Sequence, residues 1–132
     1  MEDQTMPVVS LLVPICNVER YLRECLDSAA AQTLRDIEVI CINDGSTDGS
    51  LDIINEYVAR DSRFRVIDKP NSGYGDSMNQ GIAAARGAYI GILESDDFMF
   101  SDALEKLVAK ARQTNAQVVK GDFFLYWSTP VQ

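Results

Sequence analysis

Histidine is absent from the 132 residues. That removes Ser-His-Asp and Cys-His nucleophile systems and every His-ligated zinc site. Positive charge is in short supply: 12 Lys and Arg against 20 Asp and Glu leave a formal charge of −8. Phosphate backbones are bound through surplus Lys and Arg, so no nucleic acid is expected as a partner. Cysteine is scarce and odd in number (Cys16, Cys25, Cys41), with no C-x-x-C pair. Each lies in an apolar stretch and reads as a small buried hydrophobe in a reducing cytoplasm. No run approaches the roughly 20 apolar residues that span a bilayer. The opening Met1-Glu2-Asp3-Gln4-Thr5-Met6 is acidic, unlike a secretory signal. What remains is carboxylate chemistry, with an oxygen-ligated metal as its natural extension.

The chain is 46% hydrophobic and 24% charged, and its length suits one globular domain. Short Val- and Ile-rich runs predict strands at Val8–Val13, Ile37–Ile42, Phe64–Ile67, Ala88–Leu93 and Gln117–Val119. Their apolar residues are continuous rather than alternating, as in parallel strands covered on both faces. Helical periodicities lie between them: Val18, Leu22, Cys25, Leu26 and Ala29; Leu51, Ile54 and Val58; Met78, Ile82 and Ala85; and Leu104, Leu107, Val108 and Ala111. Ser101 and Glu105 are placed to start the last helix. Alternation of this kind predicts an α/β fold, a three-layer α/β/α arrangement around a Rossmann-like, mostly parallel sheet.

Ligands of such sheets bind outside the carboxyl ends of the strands. The segments there read Pro14-Ile15-Cys16-Asn17, Asn43-Asp44-Gly45-Ser46-Thr47-Asp48-Gly49, Asn71-Ser72-Gly73-Tyr74-Gly75-Asp76 and Glu94-Ser95-Asp96-Asp97. The first has neither G-x-G-x-x-G nor G-K-[ST], which argues against a dinucleotide or P-loop cradle. It also lacks the acidic residues of a phospho-accepting receiver. The second fails as an EF-hand, because Asn55 stands where the bidentate Glu is needed. Gly45 there reads as a turn residue and Ser46 or Asp48 as a helix cap, whereas Asp44 sits where a carboxylate can enter the crevice. In the fourth, three carboxylates in four residues repel one another, a cost that either a solvated turn tolerates or a divalent cation offsets. Glu94 and Asp96, two apart in an extended segment, would share one side, with Asp97 on the other. Oxygen-only ligands suit Mg²⁺ or Mn²⁺ bridging to a phosphate-bearing substrate.

Taken together, these stretches resemble the family 2 glycosyltransferases of the GT-A fold. The carriers are Val9 to Leu22 with Cys25-Leu26-Asp27-Ser28 and Gln32-Thr33; Asn43 to Ser50 in place of D-D-G-S-x-D; Asn71 to Gly75 with Asn79-Gln80-Gly81-Ile82 and Ala85-Arg86-Gly87; and Glu94-Ser95-Asp96-Asp97 in place of D-x-D. The resemblance covers nearly all of residues 8–122. It implies a nucleotide-sugar donor, with Pro14 and Cys16 lining the nucleoside pocket and Asp44 accepting from the base, typically uracil. It further implies that Asp96 and Glu94 hold Mg²⁺ or Mn²⁺, with Asp97 near the donor sugar and Asn79 at the donor site. The transfer would run with inversion to a glycan or lipid-linked acceptor.

Asn43, Cys16 and Glu94 depart from the family's Asp, Tyr and Asp, and Met78 stands where many members carry an Arg facing the phosphates. The family's catalytic base is expected beyond residue 132; Asp122, at a predicted strand end, reads as structural. The expected organisation is a tail over 1–7, a nucleotide-sugar-binding half over 8–122, and over 123–132 an edge or the start of an acceptor half. The sheet would then be C-terminally incomplete. A cytoplasmic location, peripheral membrane association of the full-length protein and a homodimer through an exposed sheet edge accompany this reading. A sugar-phosphate nucleotidyltransferase and a non-catalytic nucleotide-binding module are the alternatives.

Overall fold

A computed structural model describes residues 6–114, 118–120 and 124–127. The order is β1 (Val9–Ile15), α1 (Glu19–Ala30), β2 (Ile37–Asp44), α2 (Ser50–Arg60), β3 (Phe64–Lys69), α3 (Tyr74–Ala84), β4 (Tyr89–Ile92), α4 (Ala103–Thr114), β5 (Val118–Lys120) and β6 (Phe124–Trp127). The sheet runs β3-β2-β1-β4-β6-β5. Its first four strands are parallel, while β6 is antiparallel to both β4 and β5. Every residue of β1 and β2 is buried, which is why their sequences do not alternate.

The two faces are covered unequally. Leu11, Val13, Ile15, Val39 and Cys41 pack beneath α1, α2 and α4, whereas Leu12, Ile40, Ile42 and Ile90 meet Met78 of α3. This is the expected three-layer α/β/α arrangement. The helical faces of α1 and α4 agree with the periodicity, except that Val18 lies just before α1. On α2 the buried face is Ser50, Ile53, Ile54 and Tyr57, rotated from the Leu51–Ile54–Val58 stripe. On α3 it is Ser77, Met78 and Gly81, leaving Ile82 half exposed. Gly81 explains that shift: its missing side chain lets α3 lie close on Leu12 and Ile42.

Ser101 and Glu105 do not cap α4. The cap comes from another element: buried Gln32 accepts from the Leu104 N–H at 3.0 Å and donates to the Phe100 carbonyl at 2.7 Å. The strand β6 falls in 123–132, where an edge or the start of an acceptor half was expected and no strand was predicted; it inserts beside β4, with Ile90 opposite Tyr126. Asp122 lies outside the described residues. Among the described residues no helix is long and apolar enough to cross a membrane.

Candidate functional site

The chain builds β1, β2 and β3 outward, and α3 then carries it back past both inner strands to β4. Strand order therefore reverses between β1 and β4, the position where open α/β sheets form a crevice. Pro14 helps to open it. The Leu93 N–H donates to the Leu12 carbonyl at 2.9 Å, and β4 pairs no residue of β1 beyond Leu12. Two residues on, the next backbone site on that side of β1 belongs to Pro14, which has no N–H to offer.

A cavity of about 340 Å³ occupies this position. Pro14 and Ile15 line it from β1, Cys16 and Val18 from the loop after β1, Asp44 from β2, Tyr74 and Ser77 from α3, and Glu94, Ser95 and Asp96 from the turn after β4. Five expected site residues, Pro14, Cys16, Asp44, Glu94 and Asp96, thus share one cavity. Asn79 and Asp97 are exposed and lie outside its lining. The Asp97 carboxylate accepts from its neighbour, the Phe98 N–H, at 2.9 Å. Cys16 is exposed, unlike the buried thiols of Cys25 and Cys41 and against the expectation of three buried cysteines.

The segment after β4 is a turn rather than an extended run, closed by the Asp97 N–H on the Glu94 carbonyl at 3.0 Å. Glu94 and Asp96 still face the same cavity. The Glu94 carbonyl also accepts from the Cys25 thiol at 3.7 Å, anchoring the turn to α1. Burial, reinforced by the charges of Asp97, Asp96 and Glu94, pushes that thiol up to about 12, so it stays a proton donor.

Asp44 is 6% exposed and largely occupied. Its Oδ1 accepts from Lys69 Nζ at 2.5 Å and from the Ser72 N–H at 2.8 Å; its Oδ2 accepts from the Gly73 N–H at 3.1 Å. Lys69, then the loop amides, hold the carboxyl below the usual range against the opposing effect of burial. A carboxylate offers about four acceptor positions, so roughly one remains on Oδ2. Asp44 therefore staples the loop before α3 and keeps limited capacity for a ligand. Lys69, which donates also to Ser72 Oγ at 2.5 Å, was missed in the sequence because Asp44 is 25 residues away in β2 and Ser72 is hidden in a turn.

The loops around the cavity hold one another. Asn17, at φ 53°, accepts from the Thr47 N–H at 2.7 Å and the Asp48 N–H at 3.2 Å, while its own N–H donates to Ser46 Oγ at 3.1 Å. The N-cap of α2 is Gly49 rather than Ser46 or Asp48: Asp48, one residue earlier, accepts from the Ser50 N–H at 2.9 Å, and Ser46 serves the neighbouring loop. Gly45 adopts φ 66°, and a Cβ there would lie 2.6 Å from the Asn71 nitrogen. Asn71 in turn donates to the Asp44 carbonyl at 3.1 Å. Asn43 donates to Asp68 Oδ1 at 2.9 Å, a contact that an Asp at 43 would turn into repulsion. Met78 packs into the core, and Ser77 is the α3 residue at that level that faces the cavity. Tyr74, Ser77 and Ser95 were not singled out from sequence, since hydroxyl residues in turns and helix starts look like caps.

Glu94 and Asp96 are the residues that could hold a cation, and only together with other ligands. Among the described residues no three His, Cys, Asp or Glu groups are set to hold a metal ion. Two oxygen donors on one wall suit Mg²⁺ or Mn²⁺, which keep waters and take further ligands from substrate phosphates.

A family model described as Glycosyl transferase family 2 matches residues 10–129. The uncharacterized glycosyltransferase EpsJ of Bacillus subtilis (strain 168) is 44% identical over 119 residues, covering 90% of this chain and 35% of that protein. Chondroitin synthase of Pasteurella multocida (strain Pm70) is 43% identical over 100 residues, 76% of this chain and 10% of that one. The crystal structure of S. aureus TarS 1–349 in complex with UDP-GlcNAc superposes with TM-score 0.77 at 30% identity, over 83% of this chain and 32% of that chain. The mannosyltransferase PcManGT from Pyrobaculum calidifontis agrees in fold, with TM-score 0.79 at 20% identity over 89% and 36%. The chain thus spans about a third of the length of EpsJ. With the match running through all four strand-end loops, the chain belongs to glycosyl transferase family 2 and has the GT-A fold.

Proposed function

We propose that this cavity is the donor site of an inverting, metal-assisted glycosyltransferase that uses a nucleotide-diphosphate sugar, with UDP as the nucleotide. The observation that carries the reading is the cavity at the strand-order reversal, with Pro14, Cys16 and Asp44 on one wall and Glu94 and Asp96 on the other. A relative 30% identical to this chain was crystallised with UDP-GlcNAc, which supports a uridine donor here.

Pro14 and Cys16 would flank the nucleoside, and the remaining acceptor position of Asp44 Oδ2 would take an N–H of the base. Glu94 and Asp96 would hold the Mg²⁺ or Mn²⁺. When bound, that ion supplies positive charge against the diphosphate leaving group, which a chain of charge −8 does not supply through lysine and arginine. The acceptor, a glycan or a lipid-linked sugar, would approach from the side opposite the leaving group. No described residue is assigned as the catalytic base. Asn79 and Asp97, outside the cavity lining, receive no direct contact in this reading.

Calorimetry with UDP and a panel of UDP-sugars, with and without Mn²⁺, tests it. Binding strengthened by Mn²⁺ and weakened at least tenfold by Asp96→Ala is the expected result. Absence of nucleotide binding in both conditions would sink the donor reading, and unchanged Mn²⁺ dependence in Asp96→Ala would remove that ligand.

A further inference from the structure

Tyr74 is the single aromatic residue among those lining the cavity. It begins α3, directly after Gly73 at φ 100°, and its side chain belongs to neither hydrophobic cluster. The ring is 53% exposed and lines the cavity, so it is open to a ligand there. Its hydroxyl reaches across the cavity, from the helix on one face of the sheet to the turn after β4, and donates to Glu94 Oε2 at 2.7 Å.

That contact acts on a side chain that needs it. Glu94 is exposed and has one methylene more than aspartate, so fixing it costs more rotamer entropy. Tyrosine is the stiffer partner, with two torsions between backbone and hydroxyl. Donation to Oε2 restrains the carboxylate and leaves Oε1 for a cation. Hydrogen bonds from such outer partners orient metal-binding carboxylates and tune their affinity.

We infer that Tyr74 is a positioning residue of the donor site: its hydroxyl holds Glu94 toward the cation, and its ring is a wall against which the donor lies. This rests on the donor reading above. The hydroxyl and the ring make separable contributions, so two substitutions distinguish them.

The test is calorimetry of UDP binding with and without Mn²⁺ for the wild type, Tyr74→Phe, Tyr74→Ala, Glu94→Gln and the Tyr74→Phe/Glu94→Gln double variant. Far-UV circular dichroism and thermal melts check that each folds. Tyr74→Phe is expected to keep metal-free UDP affinity within about twofold and to lose about tenfold of the Mn²⁺ enhancement. Tyr74→Ala should weaken the metal-free affinity as well. On the Glu94→Gln background the phenylalanine should cost nothing further, because the hydroxyl acts through Glu94. Full Mn²⁺ enhancement in Tyr74→Phe, or an equal loss on the Glu94→Gln background, would overturn the inference. So would a wild type that binds UDP without any Mn²⁺ effect, an outcome that leaves the donor site standing. A wild type that binds no UDP overturns the donor reading itself, and this inference with it.

Discussion

Asn17 has a left-handed backbone, φ 53°, and it ties two loops together through the Thr47 and Asp48 amides. Asparagine tolerates that conformation better than other residues with a Cβ, and its short amide reaches the next loop. Asn17→Ala loses the clasp and keeps the strain, so a loss of about 2 kcal/mol is expected in denaturant unfolding. Asn17→Gly relieves the backbone and should cost less than the alanine variant, an ordering that would be reversed if the backbone strain at φ 53° were unimportant. Lys69 and Asp44 form the corresponding staple on the other side of the cavity. Lys69→Met removes the foremost cause of the low Asp44 pKa, so carboxyl NMR should find that group titrating distinctly higher than in the wild type.

At the scale of elements, close approach sets the tolerances. A Cβ on Gly87 would sit 2.5 Å from the Ser10 nitrogen, where neither backbone can move aside. Gly87→Ala should therefore cost about 2 kcal/mol or more in chemical denaturation. The nearest atoms to a Cβ on Gly81 are the methyl ends of Ile42 and Leu12, at 3.1 to 3.4 Å, which can adjust. Helix propensity favours alanine there by about 1 kcal/mol. Gly81→Ala should accordingly fall within about 1 kcal/mol of the wild type, and a loss as large as that of Gly87→Ala would contradict this account. The start of α4 illustrates a different dependence, since its cap is Gln32, which precedes α4 by about 70 residues. Gln32→Ala leaves the Leu104 N–H and the Phe100 carbonyl without this partner, and a loss of 1–3 kcal/mol is expected.

For the whole molecule the acidic balance has a directional consequence. Glu38, Asp44, Asp48, Glu56, Asp61 and Asp76 are all held below the ordinary carboxylate range. Glu38 illustrates why. Burial alone would push it up, but Ser10 Oγ, the Arg86 amide and guanidinium and the Arg65 guanidinium all hydrogen-bond or pair with it. A carboxyl whose pKa is lower folded than unfolded adds stability that is fully present above its unfolded value, near 4, and is lost as pH falls through the folded value. Thermal melts should therefore show a midpoint that is level around neutrality and drops steeply below about pH 4. In Glu38→Gln that acid limb should be shallower, with lower stability at pH 7. An acid limb unchanged by the substitution would show that Glu38 does not contribute to it.

The sequence by itself determined the α/β alternation, the four parallel strands, the faces of α1 and α4, and which loops gather at one rim. These follow from local periodicity and from the rule that parallel strands end on the same side. The faces of α2 and α3 were less legible, because Tyr57 and Gly81 count little in an aliphatic stripe yet decide how each helix lies. Asp44, Glu94 and Asp96 could be named from loop position and charge, and Pro14 and Cys16 from the family resemblance, whereas Tyr74 could not, since its partner Glu94 is 20 residues away. Only the tertiary structure decided that Asp44 is shared between Lys69 and two loop amides, that Cys16 is exposed, and that β6 enters the sheet beside β4. Charge count is a property of the chain, but its meaning depends on where the carboxylates go. Several are neutralised in pairs or held by backbone N–H groups, while Glu94 and Asp96 are left facing a cavity, where negative charge can become affinity for a cation.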